Sequence, residues 1–521
     1  MNSEIIIAKN INIDKNYNNV LDYTESEMLS LLNSNSHFVN KASDYQFVRP
    51  QNSIFVNFPY SQCIQSNYIA FQNKDYSNKW FFAWIDEVIY HSESACELVY
   101  TIDAWSTYYD KWEAKSCYVL RHHVNSDNIG ENTLPEGLET GEYIIDNYEI
   151  FDGLDNMSYI IQCSEWADSD NTPLAMNFGG VYCAGGAYIC ETMAQVVNIL
   201  QLFQNNKRSD AVINVYMCPT ALISNSNNTL QYSGQNNPNY LSKEINKPKS
   251  INGYTPKNNK LLTFPYCYMN VSNNNGSVNS YIYELFNEVK DKPNKCVFNI
   301  KGVPTVGASI KCSPFNYKNS NNKDNEDEGL MGGKYPTLSW SEDAYLNWLT
   351  SNSVNVGIGV ASNLLTIAGG IGLMASGVGA VAGGGAIVSA SVSIASQINQ
   401  VYQHSLAPNT ARGNTNGGDI NSCSNTNTFI FEQCAIRKEY AEVIDDYFTR
   451  YGYKINRITI PNITGRDIWN YIEIGSQETI GTGSVPSKFM EIINNACRKG
   501  VTIWHNHENV GNYKLDNNIK R

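Results

Sequence analysis

The sequence predicts a mainly β protein with some α. Three observations lead there. Aromatic residues make up 12% of the 521 positions and 34 of the residues are Tyr, a type that suits half-buried strands. Between 54 and 124, short apolar and aromatic runs alternate with polar turn-rich segments, a spacing suited to a sandwich or barrel. Helical periodicity is confined to three stretches. At 42% hydrophobic residues the composition is globular, and the length suffices for two to four domains.

In chain order, strands are expected at 54–58, 80–85, 96–102 and 116–120, with 72–79 as a polar connection. Beyond about 150 the connections turn rich in Asn, Ser and Gly. Strand-like runs persist at 159–163, 211–216 and 281–286. Residues 191–204 predict a helix, with Met193, Val196, Ile199, Leu200 and Phe203 at helical spacing. Residues 437–450 predict an amphipathic helix with Tyr440, Val443, Ile444 and Tyr447 along its apolar stripe, stopped by Gly452. Strands at 454–460 and 501–505 and a short helix at 487–497 follow. The texture of the two chain ends matches. The expected organisation is therefore an N-terminal β domain (1–150), an inserted outward-facing α+β domain (151–340), a long uncharged segment (341–418) and the C-terminal part of the first body (419–521).

Charge and motifs exclude several function classes. A net charge of −13 opposes a duplex-binding surface, which needs clustered Lys and Arg; it is compatible with a smooth conduit that nucleic acid slides through, and equally with the acidity that simply keeps a protein in solution. The 13 cysteines are scattered, with Cys183 and Cys190 the nearest pair, as expected of buried free thiols made in a reducing cytosol. The opening Met1 to Lys9 has an acidic residue before a very short apolar run and does not read as a secretory signal. Gly377 to Ala382 fits GxGxxA, but no acid follows until Asp419, so no dinucleotide site is expected. His505, His507 and Glu508, and the pair His122-His123, read as packing or surface residues rather than metal ligands. The carboxylate pairs Asp445-Asp446 and Glu326/Glu328 read as solvated charge. No catalytic, cofactor-binding or metal-ligating residue is expected, and no enzyme activity.

One stretch stands apart. From Ala344 to Ala411, 68 consecutive residues carry no Asp, Glu, Lys or Arg. A hydrocarbon core about 30 Å thick needs about 20 residues of helix per crossing. Residues 354–375 and 378–398 each reach that length, joined at Ser376-Gly377. Gly, Ala and Ser are abundant, and Asn355, Asn363 and Gln397 interrupt the run; a permanent anchor would carry more Leu and Ile. Gly379 to Gly383 is a GxxxG that lets helices approach closely. Val388, Ala390, Val392 and Ile394 alternate with serines, the rhythm of a membrane strand. Helix and strand both remain open, as does a glycine-rich connector hidden inside an oligomer. The stretch has no charged, solvated surface of its own.

Four segments carry a resemblance. Phe71-Gln-Asn-Lys-Asp-Tyr-Ser-Asn-Lys-Trp-Phe-Phe-Ala-Trp84 and Tyr100-Thr-Ile-Asp-Ala-Trp-Ser-Thr-Tyr108, running on to Val119-Leu-Arg-His-His-Val124, are similar to segments of the tail knob (distal tube) proteins of phi-twenty-nine-type short-tailed bacteriophages. Tyr451-Gly-Tyr-Lys-Ile-Asn-Arg457 with Trp469-Asn-Tyr471, and then Lys499-Gly-Val-Thr-Ile-Trp-His505, match in kind and order. The uncharged stretch stands where that family carries its long hydrophobic loop.

The resemblance implies tail-tube-like β-barrel or sandwich domains forming a homohexameric ring at the tip of a short tail. It implies loops that plug the lumen and, on infection, enter the host cytoplasmic membrane as a channel for ejected double-stranded DNA. The plug residues would be Val354, Val356, Ile358, Val360, Leu364, Leu365, Ile367, Ile371, Leu373, Met374, Val378, Val381, Ile387, Val388, Val392 and Ile394. Partners would be other tail proteins of the upper and lower collar, the membrane and the passing DNA, bound without sequence specificity. The protein would be made in the host cytoplasm and reside in the virion. The alternative is a receptor- or wall-binding tail component with 151–340 as its adhesive part, or, less favoured, a wall-degrading one.

Overall fold

The structure is a computed structural model. It describes residues 3–338 and 428–520, apart from 44, 49–51, 74–78, 152, 155, 169–175, 179–180, 184–185, 207, 209–210, 223–240, 303–308, 321–322 and 335–336. The fold is mainly β with a nearly closed, barrel-like sheet. The chain divides into two compact units. One comprises Met1–Glu139, Pro256–Leu261 and Glu439–Arg521, the other Thr140–Thr255 and Leu262–Lys438.

The first unit is built on seven antiparallel strands. Their order is Phe38–Ala42, Glu4–Ala8, Tyr68–Gln72, Trp80–Ser92, Ala95–Ile102, Ser53–Val56 and Tyr45–Val48. Side chains alternate across a strand, so Ile5, Ile7, Ile69, Phe71, Ala83, Leu98 and Tyr100 share one face while Ile6, Ala8, Tyr68, Ala70, Phe82 and Trp84 share the other. Both faces are buried, which is why these strands read as nearly continuous apolar runs. On the first face, Val39 and Ala42 from one edge of the sheet join the same cluster as Tyr45 from the opposite edge. Tyr45 Oη donates to Gln72 O (2.7 Å), four strands away in the sheet, which it reaches only because the sheet curls round its own core.

The other face packs on a five-stranded sheet ordered Asn19–Leu21, Val501–Trp504, Trp469–Ile474, Cys117–His122 and Tyr453–Thr459. Its first pair is parallel and the others antiparallel. Trp105, Trp469 and Trp504 fill the core between the sheets, so residues from both chain ends share it. Strand Trp80–Ser92 runs well past the expected 80–85. No residue of its second half is buried, and the antiparallel hairpin with Ala95–Ile102 carries it on.

In the second unit, helix Met193–Asn205 lies on the sheet Gly186–Cys190, Met157–Cys163, Val212–Pro219, Thr337–Leu338. Thr192 and Gln195 close a capping box at its start, and Met193, Val196, Ile199, Leu200 and Phe203 are buried against Tyr159, Ile161, Tyr188 and Val215. Besides the two-stranded ladder of Met176–Phe178 with Val181–Cys183, the unit has two further antiparallel sheets of four strands each. They are Tyr143–Phe151, Phe429–Ile436, Cys267–Ser272, Val278–Tyr281 and Leu241–Asn246, Lys295–Lys301, Ser309–Phe315, Leu330–Lys334.

Three expectations are corrected. Residues 281–286 are not a strand. Val278–Tyr281 ends there and Tyr283–Leu285 is a 3-10 turn, because Tyr281 and Phe286 turn into an aromatic cluster with Phe298 and Tyr317, ring centroids 4.7–6.4 Å apart. Helix Lys438–Tyr451 buries Ala441, Ile444, Asp445, Phe448 and Thr449, while Tyr440 and Val443, placed on its apolar stripe, are exposed. Asp445 is consequently 1% exposed rather than solvated. Strand Phe429–Ile436 stands in the second unit.

Candidate functional site: the roots of the uncharged segment

The sixteen residues from Val354 to Ile394 expected to form a plug, and residues 339–427 as a whole, lie outside the described residues. The structure does describe the chain on either side. Upstream, Leu330–Lys334 pairs with Ser309–Phe315, and Thr337–Leu338 pairs with Val212–Pro219 at Tyr216 and Val215. Gly332 permits this course: a Cβ there would stand 3.1 Å from the Phe429 ring and 3.2 Å from the Ile310 carbonyl oxygen.

Downstream, Phe429–Ile436 is an interior strand, paired along its length with Tyr143–Phe151 on one side and Cys267–Ser272 on the other. Phe429, Phe431, Ala435 and Ile436 are buried, and Phe431 meets Phe298 with centroids 5.0 Å apart. Each fully buried Phe of this kind contributes roughly 1.5–3 kcal/mol. The downstream root is therefore held by two ladders and an aromatic core.

From Glu439 onward the chain belongs to the first unit, where the short segment Pro256–Leu261 is clasped almost residue by residue. Asp445 accepts hydrogen bonds from Lys257 N (2.7 Å), Asn258 N (3.1 Å) and Asn258 Nδ2 (2.7 Å). Asn259 N donates to Asp127 Oδ2 (2.8 Å), whose other oxygen accepts from Tyr453 Oη (2.5 Å). The Lys260 ammonium pairs with Glu136, which also pairs with Arg121 and accepts from Lys454 N (3.0 Å). The three side chains are 3%, 0% and 9% exposed respectively. Burial lowers the Lys260 pKa, and Glu136 opposes that shift. Sequence reasoning missed this clasp. Its one legible signal is Asp445, lying inside the helical stripe Ala441, Ile444, Phe448.

The segments that carry the resemblance have structural work in the first unit. Asp103 caps helix Ala104–Tyr108 through Ser106 N (3.2 Å) and accepts from Tyr68 Oη (2.7 Å). Burial raises its pKa, opposed by these hydrogen bonds. Trp105 Nε1 donates to Leu21 O (2.9 Å), and Phe82 N to Thr107 Oγ1 (3.0 Å), so the motif turns a strand sharply into a helix. His123 Nδ1 accepts from Tyr471 N (2.8 Å), leaving Nε2 to donate to Thr449 O (3.1 Å). Gly452 has φ +66°, and a Cβ there would lie 2.3 Å from His122 O.

The histidines weighed as metal ligands are similarly committed. His122 Nδ1 accepts from Asn462 N (3.0 Å), His505 bridges Asp22 (2.5 Å) and Asn470 (3.0 Å), and His507 Nε2 accepts from Asn12 N (3.1 Å). Among the described residues no group of His, Cys, Asp and Glu could hold a metal ion. Eleven cysteines, Cys63 and Cys497 among them, are buried and free of disulfides. Among the described residues no helix is long and apolar enough to cross a membrane.

The first unit, a curled antiparallel sheet packed on a second sheet, is the fold that the resemblance to phage tail proteins led us to expect. Residues 1–113 accordingly match the model of the caudoviral major tail protein N-terminus. Residues 228–518, more than half of the chain, match the C-terminal domain of the Bacillus phage phi29 tail knob protein gp9, and the chain belongs to that family. It is 22% identical to the tail knob protein gp9 of Bacillus phage phi29, over 90% of each chain, and 22% identical to that of Bacillus phage PZA, over 99% of each. The structure of the bacteriophage C1 tail knob protein gp12 shares the fold, with a TM-score of 0.66 at 14% identity over 99% of this chain and all of that one. As a member of this family the chain is a structural component of the virion tail.

Proposed function

We propose that this chain forms the distal tube of a short phage tail as a homohexameric ring, with the first unit as its wall. Six copies of the segment 344–411 converge in the lumen and plug it. On infection they leave it and line a passage through the host cytoplasmic membrane for double-stranded DNA. The observation that carries the proposal is the 68-residue run without a formal charge in a chain that is 17% charged overall, set between two strands planted in a folded unit. A segment that cannot solvate itself needs either neighbours or lipid, and copies meeting on a symmetry axis supply neighbours.

The ring places the protein at the tail tip in contact with the collar proteins, after synthesis in the host cytoplasm. Net charge −13 suits a lumen that repels phosphate. No catalytic step belongs to this role. The test is a cryo-EM reconstruction of virions before and after ejection. A six-fold ring with density for 344–411 in the lumen before ejection and outside it afterwards is expected. Another ring order, or the segment in one place in both states, would refute the proposal.

A further inference from the structure

Arg466 lies in the first unit at the floor of a cleft of about 930 Å³ and is 6% exposed. Among the described residues its guanidinium makes one hydrogen bond, from Nη1 to Asn517 O at 3.3 Å, and its buried Nε has no partner. A guanidinium carries five N–H donors in a planar fork, and burying it with most of them unsatisfied is unfavourable; Asp127 and Asp467 act on it through space, and no hydrogen bond joins either to it among the described residues.

The neighbouring acceptors are committed elsewhere. Asp127 is held by Tyr453 Oη and Asn259 N. Asn517 Oδ1 accepts from Ile468 N (3.1 Å) and Trp469 N (3.2 Å). Asp516 pairs with Lys257 at 2.7 Å. The backbone cannot withdraw the side chain, because Arg466 N donates to Asn470 Oδ1 (3.1 Å) and residue 466 bridges Ile519. Burial lowers the Arg466 pKa, opposed by Tyr453, Asp127 and Asp467.

We infer that this cleft binds a small ligand through an oxyanion, phosphate or carboxylate, seated on the Arg466 fork. Lys257, half exposed at the mouth, turns from Asp516 to a second ligand oxygen. The volume exceeds that of a bare phosphate, so the cleft has room for an organic group beside the anion. Asp467 and Asp516 at the rim turn away polyanions such as duplex DNA.

The test uses the full chain at matched ionic strength, with inorganic phosphate, phenyl phosphate and acetate as probes in calorimetry and thermal unfolding. At least one probe is expected to bind saturably and to raise the melting temperature by about 5 °C at a hundredfold excess over its Kd. Arg466→Lys, which keeps the charge and loses the fork, is expected to weaken binding at least tenfold. Lys257→Ala is expected to weaken it severalfold with the unliganded melting temperature unchanged, and it carries the test if Arg466 variants fail to fold. No saturable binding of any probe up to about 50 mM, or binding indifferent to both substitutions, would overturn the inference. So would an Arg466-dependent preference for duplex DNA or anionic lipid vesicles over the small probes.

Discussion

Glu136→Gln keeps the shape of a buried side chain and removes its charge, and its effect follows from the surroundings. The carboxylate has no exposed surface and faces two cations, Arg121 and Lys260, that are themselves almost fully buried. Arg121 also donates to Gly452 O (2.7 Å) and its guanidinium lies 4.8 Å from the Tyr447 ring centroid, while the Lys260 ammonium lies 5.2 Å from that of Tyr453. Neither cation has room to swing out into water. Removing the anion from such a pair costs about 3–5 kcal/mol. For a body of about two hundred residues this lowers the melting temperature by roughly 6–20 °C.

Unfolding of the full chain followed by tryptophan fluorescence reads the effect, since Trp105, Trp469 and Trp504 all sit in this unit's core. The double variant Glu136→Gln/Lys260→Met, which removes one stranded cation, should recover about half of the loss. A loss below about 1 kcal/mol, the range of exposed pairs, or a double variant no better than the single one, would refute the reading of a buried clasp.

Gly452→Ala should destabilise the first unit by at least about 2 kcal/mol, combining left-handed backbone with a Cβ 2.3 Å from the His122 carbonyl oxygen; near-normal unfolding in denaturant would contradict it. Burial, aided by Arg457 at His122 and by His37 at His507, depresses both imidazoles from 6.5 to about 4. The unfolded chain therefore binds more protons between pH 6.5 and 4, so stability is full above pH 6.5 and declines as the pH falls through that window; a flat unfolding free energy there would contradict it. Thr192→Ala opens the capping box of Met193–Asn205 and should cost about 1 kcal/mol, read as earlier loss of amide-exchange protection in that helix than in its sheet.

The β class was legible because the strands are short and their turn chemistry is plain. The helix at Met193–Asn205 was legible because its buried face holds only apolar side chains at helical spacing. Helix Lys438–Tyr451 was placed correctly in the chain but turned to the wrong face. Its partner is the polar segment Pro256–Leu261, so the buried stripe carries Asp445 and Thr449 where a hydrophobic pattern looks for Tyr440 and Val443.

The clasp itself joins residues far apart in sequence, such as Glu136 with Lys260 and Asp445 with Asn258, whose types are ordinary on a surface. Spacing along the chain holds no trace of that juxtaposition. The aromatic segments that carry the family resemblance prove to be corners and clamps: Asp103 caps, His123 bridges, and Gly452 makes room for the His122 backbone. Resemblance thus read the scaffold, and the uncharged run was read from composition alone.

The proposed role turns on residues 344–411 acting on membranes. Its most direct test is dye release from liposomes of host-like lipid composition, across a pH series, by the purified full chain and by a variant in which 344–411 is replaced by a short Gly/Ser linker. Release by the full chain is expected under at least one condition, and none by the variant, whose two units should still fold. Intact liposomes at every pH, or equal release by both proteins, would contradict it.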